Sequence, residues 1–75
     1  MPASFKSVFS SHIDEIGYDE ETREFTVRWD EDGGTTVYRG VPYEVAKEVW
    51  HAPSIGAALH RHLRGKFDFT TVKPK

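Results

Sequence analysis

Histidine is the residue type in this sequence with the widest range of chemistry, and His60 and His62 lie close together in the chain. On a helix, residues two positions apart point about 200° away from each other, whereas histidines that share a metal on one helix face lie four positions apart. The sequence contains no cysteine, so thiolate ligands are excluded. A metal site would need His12 or His51 from elsewhere in the fold, and we predict no metal and no other cofactor.

Serines and paired acids are the other candidates for catalysis. Ser54 stands directly before a predicted helix, where its hydroxyl serves as an N-cap, and no Gly-x-Ser-x-Gly motif occurs. The acidic residues form contiguous runs at 14–15, 19–21 and 30–32, which is typical of solvated loops rather than of two carboxyl groups in different environments. We therefore predict no catalytic residues and a protein that is not an enzyme.

The remaining candidates are cationic residues near the C-terminal end of the sequence. We name them the cationic ridge: His60, Arg61, Arg64 and Lys66. Cations beside aromatic rings suit phosphate contact and base stacking, and Phe67 and Phe69 follow the ridge directly, with Tyr38 as a further stacking candidate. The alternative is a solvated helix face, with the tyrosine half-buried in a sheet. For the two phenylalanines we favour a position in the core.

Charge is divided unevenly along the chain. Residues 1–50 hold five Lys/Arg and eleven Asp/Glu, a net −6, while residues 51–75 hold five Lys/Arg and one Asp, a net +4, which together give −2. Such a division can leave one face free to attract anions. Alternatively, the acidic turns neutralise the basic end, and we favour this arrangement because surface charge pairs are common and weakly stabilising.

The ridge must be positioned by a small set of strands and helices. The clearest strand covers residues 24–30, where three large apolar side chains alternate with polar ones: Phe25, Val27 and Trp29. A strand from about residue 10 to 18 precedes it, and a glycine pair leads to a third strand at 35–39. Together they predict an antiparallel meander. The alternation at 67–72 predicts a short fourth strand at the edge.

Two helices are predicted between the third and fourth strands. The first runs from about Pro42 to His51, because proline suits the first helical turn. Ser54 caps the second, which ends near Arg64 at Gly65, a residue suited to left-handed backbone geometry. The apolar side of this second helix contains Ile55, Ala58, Leu59 and Leu63, and its opposite side contains Ala57, His60, Arg61 and Arg64.

The predicted fold class is therefore α+β: a three-stranded antiparallel meander, with a short fourth C-terminal strand, packed against two short helices. We expect one domain over residues 1–75, with a core from about 8 to 72 and frayed ends at 1–6 and 73–75. No apolar run is long enough to span a membrane, and the chain does not open with a signal-peptide pattern. These features favour the cytoplasm.

Three segments follow one another in a recognisable order. They are Ser10-Ser11-x-Ile13-x-x-Ile16-Gly17-Tyr18-Asp19, then Tyr38-x-x-Val41-Pro42, then Ser54-x-Gly56 followed by Leu63-Arg64-x-x-Phe67. Over about residues 8 to 72 they resemble the KTSC domain, a short module found alone in bacterial and phage proteins and at the C-terminus of some lysyl-tRNA synthetases. The first tyrosine of that family's central Tyr-x-Tyr element is Thr36 here. The resemblance implies a compact α+β domain of uncharacterised function, with RNA binding suggested by the association with a tRNA synthetase.

Our leading hypothesis is a recognition module that contacts RNA or another polyanion through the cationic ridge and Tyr38. The alternative is a protein-interaction or self-associating module, a monomer or weak homodimer, that pairs through an exposed strand edge. We expect no membrane partner and no small-molecule cofactor.

Overall fold

The strands of the described residues form a five-stranded antiparallel sheet, and the helices pack on one of its faces. A computed structural model describes residues 4–7, 13–29 and 34–72. Across the sheet the strands are ordered β1 (Ser4–Ser7), β2 (Ile13–Asp19), β3 (Glu24–Trp29), β4 (Thr35–Tyr38) and β5 (Phe69–Val72). Between β4 and β5 the chain forms helices α1 (Tyr43–Trp50) and α2 (Ile55–Ala58), and α2 continues directly into the π segment, Leu59–Leu63.

The predicted α+β fold is confirmed: β2 to β4 are the meander, and β5 is the short fourth strand. The strand β1 was not predicted. The prediction of a frayed end at 1–6 is wrong for residues 4–6, which pair with β2 and place Phe5 opposite Gly17. Phe5 is a single phenylalanine among polar residues, so there is no alternation of apolar and polar side chains to indicate a strand. The predicted frayed end at 73–75 and the predicted strand start at 10–12 lie outside the described residues.

One sheet face and the apolar sides of the helical residues build a shared core. Phe25 and Val27 of β3 are completely buried, because side chains of alternate residues point to the same face. The buried hydrophobic cluster contains Ile13, Ile16, Phe25, Val27, Tyr38, Val41, Ala46, Val49, Ile55, Ala58, Leu59 and Leu63. The apolar side predicted for the second helix is thus confirmed in full.

A β-bulge in β2 keeps two isoleucines on the core face. Ile13 and Ile16 are three positions apart, so strict alternation would send them to opposite faces of the sheet. The register shifts next to Asp14, so that Ile13 lies opposite Trp29 and Ile16 opposite Val27. Both isoleucines are buried and Asp14 is exposed, as expected when a bulge inserts one residue into a strand.

A buried threonine links the last three strands at the position where the KTSC pattern has tyrosine. Thr36 is 4% exposed. The indole Nε1 of Trp29 donates a hydrogen bond of 2.8 Å to Thr36 Oγ1, which also lies 3.0 Å from Thr71 Oγ1. The small hydroxyl therefore connects β3, β4 and β5 without leaving a buried polar atom unpaired.

Both predicted helices are present, with differences at their ends. Pro42 has an extended backbone at the N-cap of α1, one position before the first turn. Ser54 caps α2 as predicted, with its Oγ accepting from the Ala57 N–H at 3.4 Å, and Gly65 has a φ of +78°. The second helix ends in π geometry, in which the Arg64 N–H donates to the Leu59 carbonyl at 2.9 Å.

We expect Gly17→Ala to destabilise the fold by about 1–3 kcal/mol, the usual cost of overfilling a packed site. A Cβ at position 17 would overlap the ring of Phe5, which must therefore shift. Urea unfolding measures the loss, and hydrogen exchange of the β1 and β2 amides reports whether β1 detaches. Gly56→Ala is the matched control, because its Cβ meets open space, and the helix should gain about 0.5–1 kcal/mol. Equal effects at both sites would contradict the proposed contact.

Candidate functional site

The residues of the cationic ridge are exposed, as predicted. All four lie on the outside of the second helical stretch, which is α2 together with the π segment, or just beyond it: His60, Arg61, Arg64 and Lys66. The segment is fixed in this orientation because Leu59 and Leu63 are buried against the core, which turns the intervening residues outward. The ridge therefore presents its charges to solvent.

No carboxylate within residues 4–7, 13–29 and 34–72 pairs with Arg61 or Arg64. Glu15 instead pairs with Arg28 on the face of the sheet away from the helices, at 2.7 Å between Oε1 and Nη1. The neutralisation that we favoured from the sequence is thus not seen for these two arginines in the part of the chain described. The acidic run at 30–32 lies outside the described residues.

The exposure of Tyr38 and Phe69 is the reverse of what we expected from the sequence. Tyr38 is 6% exposed and belongs to the core, so its ring is not available for stacking on a ligand, contrary to prediction. Phe69, expected in the core, is 54% exposed. It lies opposite Tyr38 on the edge strand, with ring centroids 5.6 Å apart, so only its inner side is covered. Phe67 is half-buried and packs against the core, as favoured.

Burial raises the pKa of the Tyr38 hydroxyl, and the positive charge of Arg64 partly opposes this shift.

Lys66 lies in a hollow of about 410 Å³ beside the exposed ring. We name it the Phe69 hollow; its lining is Arg39, Gly65, Lys66, Phe67, Asp68 and Phe69. Arg39 is held along the edge strand, because its N–H donates to the Asp68 carbonyl at 2.8 Å and its Nη1 donates to Thr70 Oγ1 at 2.7 Å. The lining of the hollow thus contains two aromatic rings, two cations and one carboxylate.

Arg61 lines a second concavity of about 560 Å³ between α1 and the second helical stretch. We name it the interhelical groove; its lining is Lys47, Glu48, His51, Ala52, Pro53, Ser54, Ala57, Ala58, Arg61 and His62. Lys47, His51 and His62 were not among the binding residues predicted from the sequence. The i, i+4 spacing of Lys47 and His51 was an available signal, but the packing of one helix against the other was needed to place them opposite Arg61.

In the described residues, no group of three or more His, Asp or Glu side chains is arranged to hold a metal ion. Glu48, His51 and His62 share the interhelical groove without forming such a group. His12, the other histidine considered from the sequence, lies outside the described residues. None of the helices in the described residues has the length and apolar character needed to cross a bilayer.

Comparisons with known proteins agree with the resemblance seen in the sequence. The model of the KTSC domain matches residues 9–67, which include all three recognised segments. The crystal structure of a KTSC domain protein from Yersinia pestis is 31% identical with a TM-score of 0.86, and the match covers 95% of this chain and 99% of that one. No curated protein matches the chain. On the family model and this structural neighbour together, the chain belongs to the KTSC domain family.

Proposed function

We propose that this domain is a non-enzymatic recognition module that binds single-stranded RNA across the β5 edge of its sheet. The observation that carries the proposal is the exposed ring of Phe69, which lies in a hollow with Lys66 and Arg39. A base stacked on an aromatic side chain contributes about 1–3 kcal/mol to binding. The two neighbouring cations are suited to the phosphates on either side of that base.

Arg61 and Arg64 extend this surface along the second helical stretch. Both are exposed, and within the described residues neither is held by a carboxylate. The net charge of −2 disfavours long-range attraction of a polyanion to the whole molecule. We therefore propose contact with a short single-stranded segment rather than with an extended duplex.

The non-enzymatic part of the proposal rests on how the reactive residue types are used. Ser54 caps a helix, and its Oγ accepts a hydrogen bond from the Ala57 N–H. The phenolic group of Tyr18 donates to the Val41 carbonyl at 2.5 Å, which joins β2 to the start of α1. These polar groups serve structural contacts. A location in the cytoplasm, where such an RNA would be met, remains a prediction.

Affinity for a fluorescein-labelled single-stranded RNA, measured by anisotropy, is expected to fall steeply as salt rises. Arg64→Ala should lower the slope of log affinity against log salt by about 0.7, the value for one phosphate contact on a single strand. Phe69→Ser should weaken binding by about tenfold or more at every salt concentration, with the slope unchanged, because stacking does not release ions.

Arg28→Ala is the charge-matched control, since it removes one positive charge from the opposite face of the sheet. It should leave both affinity and salt slope almost unchanged. Absence of RNA binding at low salt would remove the proposal. A slope that responds to Arg28→Ala as strongly as to Arg64→Ala would also contradict it.

The edge strand β5 favours a second candidate, a module that pairs with another protein strand. All four residues of Phe69–Val72 are exposed and none is charged, whereas edge strands commonly carry charges that prevent pairing. Val72 is 65% exposed. Light scattering across protein concentration distinguishes this candidate, because strand pairing between copies produces a dimer and the RNA module needs only a monomer.

A further inference from the structure

We infer that the interhelical groove binds a phosphomonoester dianion. The groove shares Arg61 with the proposed RNA surface, but its other cations lie apart from the Phe69 hollow. Phosphate binding in the groove therefore does not depend on stacking at Phe69.

Four basic side chains line the groove from two sides. Lys47 comes from α1 and His51 directly follows that helix, whereas Arg61 and His62 come from the π segment. Glu48 is the carboxylate among the lining residues. With neutral histidines the formal charge of the lining is +1, since Lys47 and Arg61 outweigh Glu48, and it rises to +3 when both histidines are protonated. Such a site attracts a compact dianion more strongly as pH falls.

Hydrogen-bond donors remain available in the groove. Within the described residues, neither Arg61 nor either groove histidine forms an ion pair with a carboxylate. The Lys47 ammonium lies 5.9 Å from the centroid of the Tyr43 ring, a contact that leaves its protons free to donate. The Ser54 hydroxyl accepts from Ala57 N–H, so its own proton can also reach an anion.

The shape of the site and its charges favour a terminal phosphate over an internal one. A phosphomonoester carries up to two negative charges and presents three acceptor oxygens from one end, which suits basic groups converging from both sides of a groove. A phosphodiester carries one charge, and the chain attached to its two ester oxygens must leave the site in two directions. The terminal phosphate can belong to a free nucleotide or to the 5′ end of an RNA.

The π geometry of the second helical stretch is an independent observation at the same place. Leu59–Leu63 adopts it just where Arg61 and His62 face the groove. Single π turns within helices are less stable than α turns and are frequent at functional sites.

The decisive test is a titration of the full chain with sodium sulfate, followed by NMR of the amides and histidine rings at constant ionic strength. Sulfate remains a dianion across the range used, so any pH effect comes from the protein. We expect saturable shifts at His51, Arg61 and His62, with about tenfold tighter binding near pH 6 than near pH 8. His51→Gln combined with His62→Gln should remove the pH effect.

Two single substitutions give opposite expected results. Arg61→Ala should weaken sulfate binding by about tenfold or more, the loss of one hydrogen bond to a charged group. Glu48→Gln removes the opposing carboxylate and should strengthen binding several-fold. The control is His60→Gln, which changes an exposed histidine on the same segment that does not line the groove. Non-saturable shifts, or a pH effect that survives the double histidine substitution, would overturn the inference.

Three probes then identify the source of the phosphate: a nucleoside 5′-monophosphate, a short RNA with a 5′-phosphate, and the same RNA with a 5′-hydroxyl. Equal groove shifts with the first two indicate a free nucleotide ligand, and a preference for the phosphorylated RNA indicates an RNA end. Equal binding of the two RNAs, with shifts at Phe69 and none in the groove, overturns the groove site while supporting the stacking surface. Groove shifts with sulfate but no binding of either RNA support the groove and remove the proposed RNA function.

Discussion

Phe25→Ala is expected to remove a large part of the stability of the fold. The ring is completely buried at the centre of the sheet and packs against Tyr18, with centroids 6.2 Å apart. Truncation of a buried phenylalanine costs about 3–5 kcal/mol, because transfer energy is lost and a cavity remains. A chain of 75 residues has a total stability of only about 4–11 kcal/mol at the usual value per residue. Far-UV circular dichroism during urea unfolding measures the loss.

Tyr43→Ala is the control for removing an aromatic side chain. Tyr43 is 52% exposed, and its contact with Lys47 is at the surface. We expect a change within about 0.5 kcal/mol, as for most surface substitutions. A loss below about 1 kcal/mol for Phe25→Ala would contradict the position of that ring at the centre of the core.

Leu63→Ala should lower stability by about 2–5 kcal/mol, the range for truncating a fully buried leucine. Leu63 is completely buried at the C-terminal end of the π segment. Its side chain anchors the stretch that holds Arg61 and His62 against α1. Where enough protein remains folded to be measured, sulfate affinity should therefore fall as well, although Leu63 does not line the groove.

His60→Ala is the matched change on the exposed side of the same segment. We expect almost no loss of stability and unchanged sulfate affinity. The pair separates packing from charge, because one residue anchors the segment and the other only faces solvent. Equal stability losses from the two substitutions would show that the segment is not held by its leucine side.

Local periodicity in the sequence predicted the elements that bury one regular face. Alternation at Phe25 and Val27 located β3, and the spacing of Leu59 and Leu63 identified the buried side of the second helical stretch. Ser54 and Gly65 marked the ends of that stretch through their specific backbone roles. These spacings and capping residues lie within the elements that they specify or next to them. They can therefore be detected without knowledge of the tertiary structure.

The features missed depend on contacts between distant parts of the chain. Phe69 is exposed because its strand lies at the edge, while Tyr38 is buried because β4 has neighbours on both sides. Alternation alone does not distinguish an edge strand from a central one. Likewise, β1 is held by the close approach of Phe5 to Gly17, and the interhelical groove exists only where α1 meets the π segment.

The pairing of β5 with β4 also determines when the surface proposed to bind RNA can exist. β2 and β3 are joined by a turn at residues 20–23, whereas residues 39–68, with all the helical residues, lie between β4 and β5. Joining strands across so long a connection is slower and costs more entropy than closing a hairpin. On the ribosome, β5 is the last described strand to emerge. A nascent chain can therefore complete its hairpins early but cannot present Phe69 beside Arg39 until synthesis has passed residue 72.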